Sequence, residues 1–191
     1  IRDSYNSDQT SYYRSSEVEA VIHKALNYWF TAKPVCLNWW YNQIGIPKTL
    51  GTVFILFEKQ LTPVEKQNAI TVMENAKFGM TGQNKVWLAG NVMMRALLQN
   101  DYELVKMARD TIASEIVTGG VEGIKDDWCF HQHGAQQQFG NYGLSFVSGM
   151  SFFSGLFSGT SLAFDDKQLS ILSTLIDKGY RCCLLYTSDA A

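Results

Sequence analysis

The chain has 191 residues, of which 46% are hydrophobic and 18% are charged. This length can bury one sizeable core, but not the several cores of a long multidomain protein. The net charge of −2 is too small to indicate a nucleic-acid partner, and no run of about 18 purely apolar residues is present. We therefore predict a monomeric domain with no nucleic-acid partner and no membrane span.

Apolar residues recur at helical spacing in the first half of the chain. Residues 16–19, with Ser followed three positions later by Glu, predict a capping box that opens a helix reaching about Trp29. A second helix is predicted over residues 39–58, kinked or interrupted at Pro47. A third is predicted over residues 62–77, because Thr, Pro and Glu occupy the cap, first and third positions.

The second half continues this pattern after a loop predicted at residues 79–84, which are rich in Gly. Further helices are predicted over residues 85–98, 102–117, 142–157 and 166–178. We expect Gly119-Gly120 to stop the second of these helices and Asp165 or Asp166 to cap the last. Helical pairs joined by short turns, with no convincing strand, predict an all-α fold that is layered or toroidal.

The helical pattern breaks between residues 121 and 141, where amide, imidazole and aromatic side chains are crowded together. An irregular segment of about 20 residues inside a compact helical domain is usually functional or disordered. This one is too aromatic to be disordered. Its polar groups are mostly amides and imidazoles, which form hydrogen bonds and transfer protons without adding fixed charge, and this composition suits a cleft for a hydroxylated ligand.

Three kinds of chemistry fit this segment. His131 and His133 could bind a metal, although the pattern positions no third ligand. Asp126 and Asp127 could be the carboxyl pair of an inverting glycosidase, although adjacent aspartates point in different directions. A histidine and a tyrosine could transfer a proton, provided that a cation or a hydrogen-bond network lowers the tyrosine pKa.

Three segments of the chain resemble polysaccharide lyase family 8, which contains chondroitin AC, hyaluronate and xanthan lyases. In that family a Gln-His pair is followed nine residues later by Tyr-Gly, as Gln132-His133 is followed here by Tyr142-Gly143. Residues 38–47 resemble the family's Asn-Trp-Trp segment, and residues 81–85 resemble its Thr-Gly-x-Asn loop. The three segments occur in the family's order and cover most of residues 16–181.

The resemblance implies an incomplete α/α-toroid of helical hairpins over residues 1–182. It also implies an enzyme that cleaves a chondroitin-like or hyaluronan-like acidic polysaccharide by β-elimination without a metal or organic cofactor. Asn84 would bind the uronate carboxylate, Tyr142 would act as base and then as acid, and His133 would assist. The residues implied to bind substrate are Asn38, Trp39, Trp40, Gln136 and Asn141.

Further expectations concern the location and the ends of the chain. By resemblance we expect a secreted or periplasmic protein. The segment Cys183–Ala191 resembles a translated sequencing adapter, so it is excluded from the fold prediction. Family members have an Arg-containing motif, a later Glu and β-sandwich domains beyond the position of Arg181. We therefore expect those domains to be absent and the isolated chain to be inactive, with a non-catalytic carbohydrate-binding domain or an inverting glycoside hydrolase as alternatives.

Overall fold

The computed structural model describes residues 5–181, and most of these residues are helical. The α-helices are α1 Ser16–Ala32, α2 Ile46–Leu56, α3 Pro63–Met73, α4 Gly82–Gln99, α5 Tyr102–Ala113, α6 Leu144–Phe157 and α7 Asp166–Thr174. Single π-helical segments cover Tyr41–Gly45, Phe139–Gly143 and Leu175–Arg181, and a 3-10 turn covers Glu58–Gln60. The all-α prediction is confirmed, whereas the toroidal arrangement stays a prediction.

Two sequence-based expectations concern the ends of the chain and the membrane. The segment Cys183–Ala191 lies outside the described residues. Within residues 5–181, no helix combines the length and the apolar character needed to cross a membrane.

Local capping signals locate two helix starts correctly and a third one with an error of one residue. Thr62 accepts a hydrogen bond from the Glu65 backbone, and the Glu65 carboxylate accepts one from the Thr62 backbone, which is the predicted capping box. Asp165 forms the same reciprocal pair with Gln168 at the start of α7. The first helix is capped by Ser15 and not by Ser16. Its expected partner, Glu19, instead accepts a hydrogen bond of 2.6 Å from the Tyr5 hydroxyl.

Two predicted helices differ from the structure. The helix predicted over residues 39–58 is helical from Trp39 to Leu56 without a break at Pro47, because a π-helical segment at Tyr41–Gly45 leads into the α-helix Ile46–Leu56. Pro47 lies at the junction of the π-helical segment and α2, where its missing N–H removes a helical donor, and Asn91 Nδ2 lies 3.5 Å from the Gln43 carbonyl there. Helix α5 ends at Ala113, so Gly119, with φ of +84°, turns the chain towards a strand and does not stop the helix.

A short hairpin occupies part of the segment in which no strand was predicted. Strand β1, Gly123–Ile124, pairs antiparallel with β2, Phe130–His131. The turn between them is closed by hydrogen bonds from Lys125 N–H to the Cys129 carbonyl, 2.8 Å, and from Trp128 N–H to the Lys125 carbonyl, 2.9 Å. Strands of two residues are too short to show the alternation by which a strand is recognised in a sequence.

The chain divides into two compact units. Of the described residues, the first unit comprises 5–77 and 91–105, and the second comprises 78–90 and 106–181. The first unit has a continuous apolar core contributed by α1, α2, α3, the end of α4 and the N-terminal segment. Its buried members are Tyr5, Ile22, Leu26, Phe30, Phe54, Phe57, Ala69, Met73 and Leu98.

The core of the second unit anchors the hairpin against α6. Phe130 of β2 and Phe146 of α6 are fully buried, and their ring centroids are 4.9 Å apart. Ile124 of β1 and Met150 of α6 are also fully buried. Burying a side chain of this size stabilises a fold by about 1.5–3 kcal/mol. The core therefore fixes the strand that leads directly into the segment after residue 131.

A buried carboxylate joins α1 to the start of α3 in the first unit. The side chain of Glu65 is 3% exposed, and its oxygens lie 2.8 and 3.0 Å from His23 Nδ1. Asn27 and Thr62 also donate to it. Burial alone raises the pKa of Glu65, but the hydrogen bonds from Thr62 and His23 outweigh burial and hold the pKa below its usual value. The ionised form therefore stabilises the fold.

We expect the free energy of unfolding of the chain to fall as the pH drops below about 4.5, the ordinary pKa of a Glu carboxyl. The lowered native pKa means that this stability is present above the unfolded-state pKa and is lost as the pH falls through the native one. Glu65→Gln should lower the free energy of unfolding at pH 7 by about 1–3 kcal/mol and flatten its pH dependence. Urea unfolding across this pH range measures both effects, and an unchanged pH dependence in the variant would contradict the assignment.

Candidate active site

The three residues predicted to be catalytic all lie in the second unit. Asn84 is the third residue of α4, His133 follows β2, and Tyr142 lies in the π-helical segment Phe139–Gly143. The start of an α-helix, the loop after a strand and a π-helical segment therefore carry the three side chains. Each of these elements has a feature that a regular helix lacks.

Asn84 lies in the first turn of α4 and not in a loop, which corrects the boundary predicted at residue 85. The helix begins at Gly82, whose φ is +58°. The Gly82 N–H donates to Glu115 Oε2 at 2.7 Å, and the Gln83 N–H donates to Gln132 Oε1 at 2.9 Å. These side chains satisfy backbone donors that a local capping residue normally satisfies. The helix start was missed because both acceptors are distant in sequence.

Asn84 is buried, and its side-chain oxygen has no partner within the described part of the chain. Its side chain is 6% exposed, and its Oδ1 has no hydrogen-bond partner among residues 5–181. An unsatisfied buried amide is uncommon in native proteins and needs a structural or functional explanation. Its position in the first turn of a helix also favours a negatively charged ligand, because the helix dipole is positive there. A carboxylate would bind to the Nδ2–H donors of Asn84, because the unpartnered Oδ1 can only accept a hydrogen bond and needs a donor of its own.

His133 and Tyr142 are in direct contact. His133 Nε2 lies 3.1 Å from the Tyr142 hydroxyl oxygen. The two ring planes are nearly perpendicular, at 88°, and their centroids are 5.0 Å apart. His133 is exposed and Tyr142 is half-buried. The predicted proton-transfer pair is thus assembled, with a hydrogen bond along which a proton can pass and with one side open to solvent.

The backbone at His133 is in the left-handed region, with φ of +58°, and the next residue, Gly134, has φ of +73°. This conformation costs a residue with a Cβ atom about 1–2 kcal/mol. Hydrogen bonds on both sides hold it, since the Gln132 N–H donates to the Gln136 carbonyl at 3.0 Å and the Gly134 N–H donates to Glu122 Oε1 at 3.0 Å. Such strain is typical of functional sites whose surroundings impose the conformation.

Trp87 is a site residue that the sequence analysis missed. Its ring centroid lies 5.7 Å from that of Tyr142, with the planes tilted by 48°. Asn84 and Trp87 are three residues apart on α4, so they lie on the same helical face. This spacing identifies Trp87 as a neighbour of Asn84 only after Asn84 is assigned to the helix. Trp87 connects the Asn84 face of α4 to the His133–Tyr142 pair.

The predicted substrate-binding residues of the second unit, Gln136 and Asn141, are both exposed. Gln136 Oε1 accepts a 3.4 Å hydrogen bond from Gln138 Nε2. Asn141 directly precedes Tyr142, and its carbonyl accepts a hydrogen bond from the Leu144 N–H. Their contacts with a substrate stay a prediction.

The other predicted binding residues, Asn38, Trp39 and Trp40, lie in the first unit. Asn38 Oδ1 accepts a 2.9 Å hydrogen bond from the Trp40 N–H. The Trp40 ring packs edge-on against the Tyr41 ring, with centroids 5.3 Å apart. The Trp39 side chain is 43% exposed. Trp39 therefore has ring surface available for a ligand, whereas Trp40 also packs within the protein.

The alternative chemistries are less well supported by the geometry. Asp127 accepts a hydrogen bond of 3.0 Å from the Cys129 N–H, and this bond lowers the pKa of Asp127. The general acid of a glycosidase needs a raised pKa, which is the opposite shift. Among residues 5–181, no three His, Cys, Asp or Glu side chains are grouped so that they could hold a metal ion. The His133–Tyr142 contact is therefore the best-supported arrangement.

We expect His133→Gly to be more stable than His133→Ala by about 1 kcal/mol, because only the alanine keeps the penalty of a left-handed backbone. Both variants lack the imidazole, so their difference isolates the backbone strain. Urea unfolding of the two proteins measures it.

The matched control uses Leu144, which is exposed and has φ of −61°. There the order should reverse, with Leu144→Ala more stable than Leu144→Gly. An alanine variant at residue 133 that equals or exceeds the glycine variant in stability would show that the backbone is not strained there.

The chain is similar to known polysaccharide-degrading enzymes along most of its length. Residues 1–188 match the family described as "Polysaccharide lyase family 8, N terminal alpha-helical domain". Chondroitinase-AC of Pedobacter heparinus is 30% identical over 185 residues, which are 94% of this chain and 26% of that protein. Xanthan lyase of a Bacillus species is 26% identical and is matched over 90% of this chain and 20% of that protein. The chain thus spans about a quarter of the length of these relatives.

Solved structures have the same fold. A chondroitinase AC lyase studied in complexes with oligosaccharides superposes with a TM-score of 0.84 at 30% identity, over 94% of this chain and 27% of that one. The chondroitin AC lyase of Streptomyces coelicolor superposes with a TM-score of 0.82 at 20% identity, over 93% of this chain and 26% of that one. On the match across residues 1–188 and this likeness, the chain belongs to the N-terminal α-helical domain of polysaccharide lyase family 8.

Proposed function

We propose that the protein containing this chain is a lyase that cleaves a uronic-acid-containing polysaccharide by β-elimination and leaves an unsaturated uronate at the new chain end. The observation that carries the proposal is the 3.1 Å contact between His133 Nε2 and the Tyr142 hydroxyl. The family membership of the chain supports the reaction class, because its relatives are chondroitin, xanthan and hyaluronate lyases.

The first difficulty of the reaction is the acidity of the C5 proton. Its removal places negative charge next to a carboxylate that is already ionised. Hydrogen-bond donors at that carboxylate disperse the charge and make an enolate-like state accessible. The buried Asn84 amide, at the positive end of α4, suits this role. A single neutral donor contributes modestly, so we infer that other donors at the site act together with Asn84.

The second requirement is a group that takes one proton and returns another. In our proposal the Tyr142 hydroxyl first passes its proton to His133 Nε2, 3.1 Å away, and the resulting phenolate oxygen accepts the proton from C5 while the electrons of the C5–H bond form a C4=C5 double bond. The C4–O4 bond breaks, and Tyr142 returns a proton to the leaving O4 oxygen. One residue can perform both steps when the proton and the leaving group lie on the same face of the sugar. His133 assists by holding the proton of the Tyr142 hydroxyl while the Tyr142 oxygen reacts.

The substrate class follows from the relatives and from the charge of the site. We propose a chondroitin-like or hyaluronan-like polymer, because the relative with 30% identity is a chondroitinase. The side chains that define the proposed centre are an amide, an imidazole, a phenol and an indole, none of which carries a fixed negative charge. An anionic sugar can therefore approach them without repulsion from the centre itself. The Trp87 ring beside Tyr142 adds a flat apolar surface.

We expect Tyr142→Phe to lower kcat at least about 100-fold, because it removes the oxygen that transfers the proton and keeps the ring. The complete protein containing this chain is incubated with chondroitin, hyaluronan and xanthan, and ultraviolet absorbance of the unsaturated uronate is followed. Tyr28→Phe is the matched control, since Tyr28 is 76% exposed and has no part in the proposed centre. No absorbance rise with any of the polymers would contradict the proposed lyase activity.

A carbohydrate-binding role without catalysis is the second candidate, and the exposed ring of Trp39 favours it. It predicts polymer retention in affinity electrophoresis that decreases in Trp39→Ala and is unchanged in Tyr142→Phe. The two candidates thus differ in their dependence on Tyr142. New reducing ends without ultraviolet absorbance would instead indicate a hydrolase.

A further inference from the structure

We propose that Gln132 and Glu122 form a positioning pair that holds the His133 turn against the first turn of α4. This contact fixes the position of His133 relative to Asn84. Neither residue of the pair is proposed to touch substrate. The inference rests on the proposed function, because it assigns the pair to the catalytic centre described above.

Gln132 uses both ends of its side-chain amide. It is 1% exposed, its Oε1 accepts from the Gln83 N–H at 2.9 Å, and its Nε2 donates to the Thr81 carbonyl at 3.4 Å and to the Glu122 carboxylate. Gln83 directly precedes Asn84, and Gln132 directly precedes His133. One buried amide therefore joins the chain positions next to two proposed catalytic residues.

Glu122 holds the other side of the same turn. Its Oε1 accepts from the Gly134 N–H at 3.0 Å, and its Oε2 accepts from the Thr81 hydroxyl at 2.5 Å and from Gln132. Gln132 and Gly134 flank His133, so the pair holds the residues on both sides of this left-handed residue through hydrogen bonds. These contacts explain how a backbone with φ of +58° is kept in place.

A second and separate contact fixes the start of α4. Glu115 is 8% exposed, its Oε2 accepts from the Gly82 N–H at 2.7 Å, and its Oε1 pairs with Lys85 Nζ at 2.6 Å. This contact does not involve the His133 turn. Loss of the Gln132–Glu122 pair should therefore displace His133 and leave the first turn of α4 in place.

The amide and the carboxylate of the pair can be exchanged between positions 132 and 122. In Gln132→Glu, carboxylate oxygens would face Glu122 and the Thr81 carbonyl, so acceptors would oppose acceptors. In Glu122→Gln, an amide N–H would face one of the donors that now bind the carboxylate. When both changes are made, the carboxylate at position 132 can accept from the amide at position 122 and from the Gln83 N–H, and only the long 3.4 Å contact with the Thr81 carbonyl is not restored. The double variant keeps the net charge, the volume and the hydrogen bond.

The experiment compares the complete wild-type protein with Gln132→Glu, Glu122→Gln and the double variant, by kcat and KM for a cleaved polymer. Each single change should lower kcat about 10- to 100-fold with KM changed less than about threefold, because the site is misplaced and the binding residues are intact. The double variant should recover to within about fivefold of wild type. Wild-type kcat in the single variants, or no recovery in the double variant, would overturn the inference.

Thr81→Val covers the case in which the single variants do not fold. It removes one hydroxyl donor to Glu122 from an exposed side chain and should lower kcat about two- to fivefold, with the melting temperature unchanged. Thr81→Ser is its control, because it keeps the hydroxyl and should retain wild-type kcat. Equal kcat in the valine and serine variants would also contradict the inference.

The failure of the proposed function can be told apart from the failure of this inference. If wild type cleaves no polymer, the proposed function fails. The melting temperatures of wild type, the two single variants and the double variant then test the pair. A melting temperature that recovers in the double variant requires direct contact between the two side chains. If wild type is active and the variants behave independently, only the positioning pair is excluded.

Discussion

The proposed active site depends on how the first N–H groups of α4 are satisfied. The first backbone donors of a helix have no partner within it, and here the acceptors for Gly82 and Gln83 are the side chains of Glu115 and Gln132. Gln132 directly precedes His133. The hydrogen bond from the Gln83 N–H to the Gln132 side chain therefore also holds the histidine turn next to Asn84. The Gln132 side chain thus serves both the start of the helix and the placement of the histidine turn, whereas Glu115 binds the Gly82 N–H separately.

The same arrangement explains why the site tolerates irregular backbone. His133 is left-handed, and Tyr142 lies in a π-helical segment and not in a regular helix. Both conformations are less favourable than regular helix, and both persist because buried neighbours leave no alternative. Below them, Phe130 and Phe146 pack at 4.9 Å in the core of the second unit. The packed Phe130 and Phe146 side chains thus support a polar segment whose backbone is strained at His133. Functional sites often keep such strain at a cost in stability.

The carboxylates near the centre bind within the protein. Glu115 binds Lys85 and the Gly82 N–H, Glu122 binds Thr81, Gln132 and Gly134, and Asp127 binds the Cys129 N–H. Lys85 compensates the charge of Glu115, and neutral donors hold the Glu122 and Asp127 carboxylates in fixed positions. The groups left at the proposed centre are amide, imidazole, phenol and indole. This division of roles suits a site for a polyanion, because the carboxylates that would repel the substrate are directed to donors within the protein.

The sequence by itself determined the all-α class, most helices and the caps at Thr62 and Asp165, because these depend on local periodicity and on short motifs. By resemblance it also indicated Asn84, His133 and Tyr142 as candidate site residues. It could not determine that Asn84 lies inside a helix, that Trp87 contacts Tyr142, or that a hairpin precedes His133. Each of these depends on residues far apart in the chain, such as Gln83 and Gln132, whose hydrogen bond exists only after folding. Only the tertiary structure decided these three features. A buried backbone donor must have a hydrogen-bond acceptor, and the packing of the folded chain determines which acceptor lies beside it.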